Sequence, residues 1–585
     1  MATSENTRFL LVVTHGHRTF PLSNIVIGDG HPAWTSANRR VGVWTWPESR
    51  GVPAEGRLQF QIGGHGPRKG HFVAIDINSL GQGSITQDDF GLAPLYVATR
   101  GGFSFAANRP ELIASAWHRM TGGQPERDLV FGALLALKGI PMGDRTGYAG
   151  ICCVPFLAFL SVTPAGIRTV HRSEPPWLPG EGTRVKSEPA MQAAVDEVEA
   201  ILTADMRHAV SGQPTRVGRP ALQLTGGRDS RLAVALALRS GVIDDVDVVT
   251  HGDKRTPDAR IARQVAQAAN ARHSLYRWSS TERDLFTHVR NTSGALNLWE
   301  ASEPVPPFQR TMIISGLLGE TLRSNFPSTA PPSTRSHVLR AFFGAPSLDL
   351  LTEDAWFDAM VEAMQLLMSP ASRGARPEDL HDAFYVQHRI RRWVSVRPGA
   401  FHRTFFPLYC PRAVCLAFAA GWQARAENAI HDAIIARTGS DLTAIPYADA
   451  KQVRRPRPSS IAYPEDGVPV LDRGALLEIA RRWRHKRPRW RAERTRTTPS
   501  PQTARRVALY LETIGARGDS PAFDVIDKDR LVAAIRHLPG MKLHLAKQVH
   551  GAMATVIWLG GLETSTPRLG RHSWKPEVRH HVGDR

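Results

Sequence analysis

Leu224-Thr225-Gly226-Gly227-Arg228-Asp229-Ser230-Arg231 decides how this chain of 585 residues is read. Pro220-Ala221-Leu222-Gln223-Leu224, which leads into it, has the length and composition of a short buried strand. Behind it the pattern predicts a helix over Leu232–Arg239 and a strand over Val246–Thr250. Strand, glycine turn, helix and strand in that order make the βαβ unit of a parallel sheet. Two successive glycines let backbone N–H groups approach an anion closely, and the helix N-terminus adds partial positive charge. Thr225 and Ser230 carry hydroxyls that can donate to phosphate oxygens, and Asp229 can hold Mg²⁺ against them. No Lys follows the second glycine at Walker A spacing. Two glycines alone would fit an ordinary strand-to-helix turn; glycines followed by Asp-Ser at this junction favour a phosphate site.

Upstream, residues 1 to about 175 are β-rich, with short apolar runs such as Phe72-Val73-Ala74-Ile75 and Leu95-Tyr96-Val97 between Gly, Pro, Asn and Asp. Phe9-Leu10-Leu11-Val12-Val13 reads as the first strand; it is too short for a signal-peptide core. Pro175, Pro176 and Pro179, followed by Gly180 and Gly182, mark a linker. Met191–Val210 is spaced as a helix, and beyond about Glu353 the chain is mostly helical, with amphipathic stretches at Asp382–Val394 and Ala413–Ala436. The expected organisation is a domain over 1–175, a second over 190–563 and a loose tail over 564–585.

Composition narrows the classes. With 42% hydrophobic and 22% charged residues, wholesale disorder and fibrous repeats are excluded. Four cysteines without metal-ligand spacing build neither a disulfide framework nor a zinc finger. No run of about 18 apolar residues exists to span a membrane, so a cytoplasmic protein is expected. The formal charge of +19 favours polyanions such as nucleic acid, anionic lipid or nucleotide phosphates, although a surplus of Arg over Lys makes it partly compositional. Nine basic residues lie between Arg481 and Arg496, with Trp483 and Trp490 among them. Such a tract suits an RNA or phosphate groove, or a grip on an acidic peptide; a solvated amphipathic helix with both indoles on one stripe is the favoured reading.

The Thr225–Ser230 segment resembles the Ser-Gly-Gly-x-Asp-Ser pyrophosphate loop of the asparagine synthetase-like, N-type ATP pyrophosphatases, with Thr225 for the first Ser. Thr250-His251-Gly252 resembles the strand end where that family holds adenine through backbone groups, and Asp258 to His273 its following helix. Ile313-Ile314-Ser315-Gly316-Leu317-Leu318-Gly319-Glu320 resembles its acidic Ser-Gly-x-Gly-x-Asp-Glu loop. In the first half, Asp88-Asp89-Phe90-Gly91-Leu92-Ala93-Pro94-Leu95-Tyr96 and Phe103–Asn108 resemble the glutaminase-like half of asparagine synthetases. The resemblance spans about residues 1–450.

The resemblance implies an α/β fold: an N-terminal Ntn-hydrolase-like α/β/β/α sandwich, then a parallel-sheet ATP-pyrophosphatase domain with a helical extension. It implies ATP and Mg²⁺ as cofactors. Leu224, Thr225, Gly226, Gly227, Asp229 and Ser230, with Thr250 and Gly316, would hold the nucleotide, and Asp229 and Glu320 the metal. Asp229, Glu320 and Lys451 would carry catalysis, Lys451 by stabilising a tetrahedral intermediate. Arg228 and Arg231 flank the loop within reach of phosphates, although Arg231 begins a helix and could instead only pair with an acid; Tyr385, Arg389, Arg392 and Trp393 match a stretch of some members and read as packing.

The departures redirect the function. A working glutaminase needs a Cys as its mature first residue, and this chain reads Met1-Ala2-Thr3-Ser4. Leu317 stands where asparagine synthetases carry Glu. Members without the glutaminase, such as β-lactam synthetases and the macrolactam cyclases of lasso peptides, use an amine already on the substrate. The expected activity is therefore an AMP-forming amide ligase on a peptide or amino-acid derivative, with a leader-binding protein and a protease of the same pathway as further partners. An asparagine synthetase-like amidotransferase, an intermolecular ligase, and a non-catalytic nucleotide- or RNA-binding homologue remain as alternatives.

Overall fold

Strand β1 (Arg8–Thr14) is apolar without a break from Phe9 to Val13 because both its faces are covered. Phe9, Leu11 and Val13 enter one core cluster, Leu10 and Val12 another, so the strand shows a continuous apolar run where a one-sided strand would alternate. The computed structural model describes residues 8–15, 34–46 (without 39), 56–63, 72–172, 175–177, 187–212, 218–276, 312–325, 349–394, 404–448 (without 440), 520–537 and 543–560, with the isolated positions 289, 334, 337–339 and 342. Within them it is a mixed α/β protein with two antiparallel sheets, one five-stranded parallel sheet and many helices.

After β1 come β2 (Trp34–Thr35), β3 (Val41–Trp46), β4 (Leu58–Gly63), β5 (Phe72–Ile77), β6 (Gly83–Gln87), β7 (Tyr96–Arg100) and β8 (Phe103–Ala107). Helices α1 (Pro110–Thr121) and α2 (Leu129–Lys138) precede β9 (Cys152–Cys153), β10 (Ala158–Thr163) and β11 (Gly166–His171). One sheet runs β2-β3-β1-β8-β7-β9, the other β11-β10-β6-β5-β4. Leu58, Val73, Ile75, Ile85 and Leu160 of the second meet Phe9, Leu11 and Val13 of the first, and α1 covers the first sheet's other face through Ile113, Ala116 and Trp117. The second sheet turns Gln59, Gln61, Asp76, Ser84, Thr86 and Ser161 outward. Three of the four expected layers are thus formed by described elements. α2 does not cover the polar face: its apolar residues join the core of the C-terminal helices.

Helix α3 (Glu188–Ser211), capped by Ser187, leads to β12 (Ala221–Gln223), α4 (Arg228–Arg239), β13 (Asp247–His251), α5 (Pro257–Ala268), β14 (His273–Tyr276) and β15 (Ile313–Ile314). The chain continues through α6 (Glu353–Met368), α7 (Leu380–Phe384), a π turn over Tyr385–Arg389, and α8 (Ile390–Val394). Strand β16 (Thr404–Phe405) is followed by α9 (Pro411–Ala419), α10 (Gly421–Ala426), α11 (Ala429–Ala436), α12 (Ala522–Val525), α13 (Lys528–His537) and α14 (Leu543–Leu559). The parallel sheet runs β14-β13-β12-β15-β16 with every pair parallel. α4 begins a full turn earlier than the apolar pattern predicted, because its first turn is the polar Arg228-Asp229-Ser230.

One core joins the two halves. Phe90 stacks on Phe156, which stacks on Trp177, which meets Phe418 of α9 edge-on. α14 closes on α2: Gly132 and Gly551 let the helices touch, Thr555 donates to the Gly132 carbonyl at 2.9 Å, and the Trp558 indole donates to the Gly147 carbonyl at 2.8 Å. Among the described residues no helix is long and apolar enough to cross a membrane. Thr3, Lys451, the Arg481–Arg496 tract and the 564–585 tail lie outside the described residues.

Candidate functional site

β12 lies at the centre of the parallel sheet, with β13 and β14 on one side and β15 and β16 on the other. The strand order reverses there, and in open α/β sheets the crevice beyond the strand ends at such a point receives ligands. The Thr225–Ser230 loop leaves β12 and the Ser315–Glu320 loop leaves its neighbour β15, so both open onto that crevice. Close packing locks them together. A Cβ on Gly316 would lie 2.7 Å from Cα and N of Ser230, and one on Gly319 would lie 2.6 Å from Cβ of Asp229. Leu318, between them, holds a left-handed φ of 78°, a conformation that costs a non-glycine residue about 1–2 kcal/mol.

The first loop is tied by its own hydroxyls. Ser230 Oγ accepts from the Thr225 amide at 3.1 Å and lies 3.0 Å from Thr225 Oγ1, which accepts from the Gly227 amide at 3.2 Å. The Gly226 amide donates to Asp258 Oδ1 at 3.0 Å. A carboxylate therefore already sits on a glycine N–H of the expected phosphate loop, as an anion would. Asp258 comes from the first turn of α5, where its charge also complements the helix dipole.

Behind the loop lies a charge cluster. Asp229 Oδ1 accepts from Arg323 Nε at 2.9 Å and Oδ2 from Arg323 Nη2 at 2.8 Å, a two-pronged pair. His431 of α11, fully buried, places Nε2 3.0 Å from the same Oδ1. Burial alone would raise the Asp229 pKa, but Arg323 and His431 hold it well below the carboxylate range. Glu320 accepts from the Leu318 amide at 3.0 Å. Burial, and then the charge of Asp229, push Glu320 up to about 7. Tyr385, on the π turn, is buried facing Glu320, Arg323 and Asp229. The mutual repulsion of Glu320 and Asp229 is what a divalent cation relieves. Two carboxylates suit Mg²⁺ arriving with a nucleotide, which takes its other ligands from phosphates and water. Among the described residues no three His, Cys, Asp or Glu side chains form a complete metal set of their own.

Arg231 departs from expectation. It is buried and donates to the carbonyls of Leu442, Ile445 and Pro446 at 3.0, 2.6 and 2.9 Å, so it anchors a chain segment and reaches no phosphate. Its guanidinium and that of Arg228 each lie 4.0 Å from the ring centre of Tyr447. The Ala448 amide then donates to the Gly226 carbonyl at 3.0 Å, so the end of the 442–448 segment is tied to the Thr225–Ser230 loop. The Thr250 side chain is buried in the sheet, donating to the Leu224 carbonyl at 2.9 Å.

Of the sequence candidates, Thr225, Gly226, Gly227, Asp229, Ser230, Gly316 and Glu320 converge at one place; Leu224 and Thr250 lie beneath it in the sheet. Sequence reading missed Arg323, His431 and Tyr447. Arg323 stood three residues after Glu320 and was within reach of attention; His431, 202 residues from Asp229, carried no signal. No protein-family model and no curated protein matches this chain.

Proposed function

We propose that the protein is an ATP-dependent, AMP-forming carbon–nitrogen ligase that adenylates a carboxylate and joins it to an amine on the same substrate. The observation carrying this reading is the meeting of the Thr225–Ser230 loop and the Asp229–Glu320 carboxylates at the sheet's switch point. In this reading the substrate carboxylate oxygen attacks the α-phosphorus of ATP, the bond to the β-phosphate breaks, and pyrophosphate leaves. The amine nitrogen then attacks the acyl carbon, AMP departs with the acyl–oxygen electrons, and the nitrogen releases one proton. Thr225, Gly226, Gly227 and Ser230 orient pyrophosphate, which displaces Asp258 from the Gly226 amide. Asp229 and Glu320 would hold Mg²⁺, whose charge offsets that of the leaving group. Holding amine and activated acyl group in one pocket can contribute about 7–11 kcal/mol toward the barrier. Macrolactam closure in a ribosomal peptide is the leading substrate class.

The test is carboxylate-dependent exchange of labelled pyrophosphate into ATP, with candidate precursor peptides followed by mass spectrometry for loss of one water. Asp229→Ala is expected to lower exchange by at least about 100-fold with the fold retained by circular dichroism. Release of ADP and phosphate overturns the assignment. Mg·ATP binding without exchange for any carboxylate favours a nucleotide-binding homologue, the reading to which the occupied oxygens of Asp229 lend support.

A further inference from the structure

Asp229 has a front and a back. At the back, His431 is fully buried and holds Oδ1 from α11. At the front, Arg323 covers both oxygens while its own side chain stays a quarter exposed. The backbone just beyond Arg323 is fixed. The Ser324 amide donates to the Arg425 carbonyl at 3.1 Å and the Asn325 amide to Asp382 Oδ1 at 3.0 Å. Asp382 and Asp379 are in turn gripped by the buried Arg425. Arg323 is thus tethered at its base; its tip is held by the carboxylate and by a longer bond from Nη1 to the Ser324 carbonyl at 3.4 Å. Glu320 adds a second acid beside the same guanidinium.

We propose that Arg323 is the resident cation of this site: it occupies Asp229 in place of a divalent ion and must yield Asp229 before the ion that accompanies nucleotide can bind. The inference rests on the nucleotide reading above for its purpose, but its physical content is a competition between guanidinium and metal ion for one carboxylate. A guanidinium satisfies both oxygens of Asp229 with one positive charge where a divalent ion brings two. It therefore keeps the free protein from collecting divalent ions, and makes cation entry depend on the phosphates that carry the ion in. Removing Arg323 leaves Asp229 oriented by His431, a prepared ligand beside Glu320.

The competition is read without any catalysis, by titrating the full-length protein with Mn²⁺ as a paramagnetic probe in the absence of nucleotide. Arg323→Gln is expected to bind Mn²⁺ at least about tenfold more tightly than the wild type, the size of one lost charge-assisted pair. Arg323→Lys, which keeps the charge but loses the two-pronged geometry, is expected to lie between them, and it decides the matter if the glutamine variant does not fold. Equal or weaker Mn²⁺ binding in the folded variant overturns the proposal and leaves Arg323 as a structural tie. Calorimetry with Mg·ATP on the wild type runs in parallel. If no nucleotide binds while the Mn²⁺ difference holds, the ligase reading fails and the role of Arg323 stands.

Discussion

Gly316 has no room for a methyl group, since its Cβ would press on the backbone of Ser230 at 2.7 Å. Backbone cannot rotate away as a side chain can, so Gly316→Ala must move the Ser315–Glu320 loop off α4. The expected cost is about 1–3 kcal/mol, as for other overpacked sites, with pyrophosphate exchange falling far more than thermal stability. Measuring both on one sample checks this; a variant losing stability and activity in proportion would show that the loop spacing is not critical to the site. At this scale the sequence was most informative where chemistry was local. Thr225, the two glycines, Asp229 and Ser230 lie within six residues, and their spacing announced the loop. Arg323 and His431 were illegible because an ion pair formed across 94 residues, or a contact across 202, leaves no mark in local spacing. Arg231 stayed ambiguous because a basic residue beside such a loop reads the same whether it faces a ligand or grips carbonyls from behind.

Among the elements, α4 and the segment 442–448 act as a unit. Arg231 accounts for three of the bonds that hold that segment down, and Gly226 takes a fourth from Ala448. Arg231→Met keeps the bulk and loses the donors of three bonds; for the buried Leu442 carbonyl alone the cost is about 1–3 kcal/mol. Hydrogen exchange is expected to rise across 442–448 while the centre of α4 stays protected. Unchanged exchange in that segment would mean that Tyr447, which donates to Asp432 at 3.0 Å, suffices to hold it. The βαβ order and the helical second half were legible because burial imposes a period on each element. The strand β1 was legible too, though its two-sided burial was not. What could not be read was the destination of α2: its residues are apolar nearly all round, and such a helix fits any core.

For the whole molecule, Asp88 ties the halves. It accepts from the Leu92 and Ala93 amides at 2.9 and 2.7 Å and from the Tyr409 hydroxyl at 3.3 Å, across 321 residues. Burial pushes its carboxyl up to about 7 in spite of those amides. In the unfolded chain it titrates near about 3.9, so between about pH 4 and about pH 7 the folded state holds a proton that the unfolded state has released. Stability from this group therefore falls as pH rises through that window, by a few kcal/mol at most. Urea midpoints across the window should show a downward slope that Asp88→Asn flattens; an unchanged slope would assign it to other groups. The joining of α14 to α2 has a consequence of another kind, in the order of synthesis. Thr555 meets Gly132 across 423 residues, so on the ribosome the side of α2 that meets α14 emerges long before its cover. At 5–20 residues per second the wait is about 20–85 s, during which the newborn first half carries an open apolar stripe and invites a chaperone.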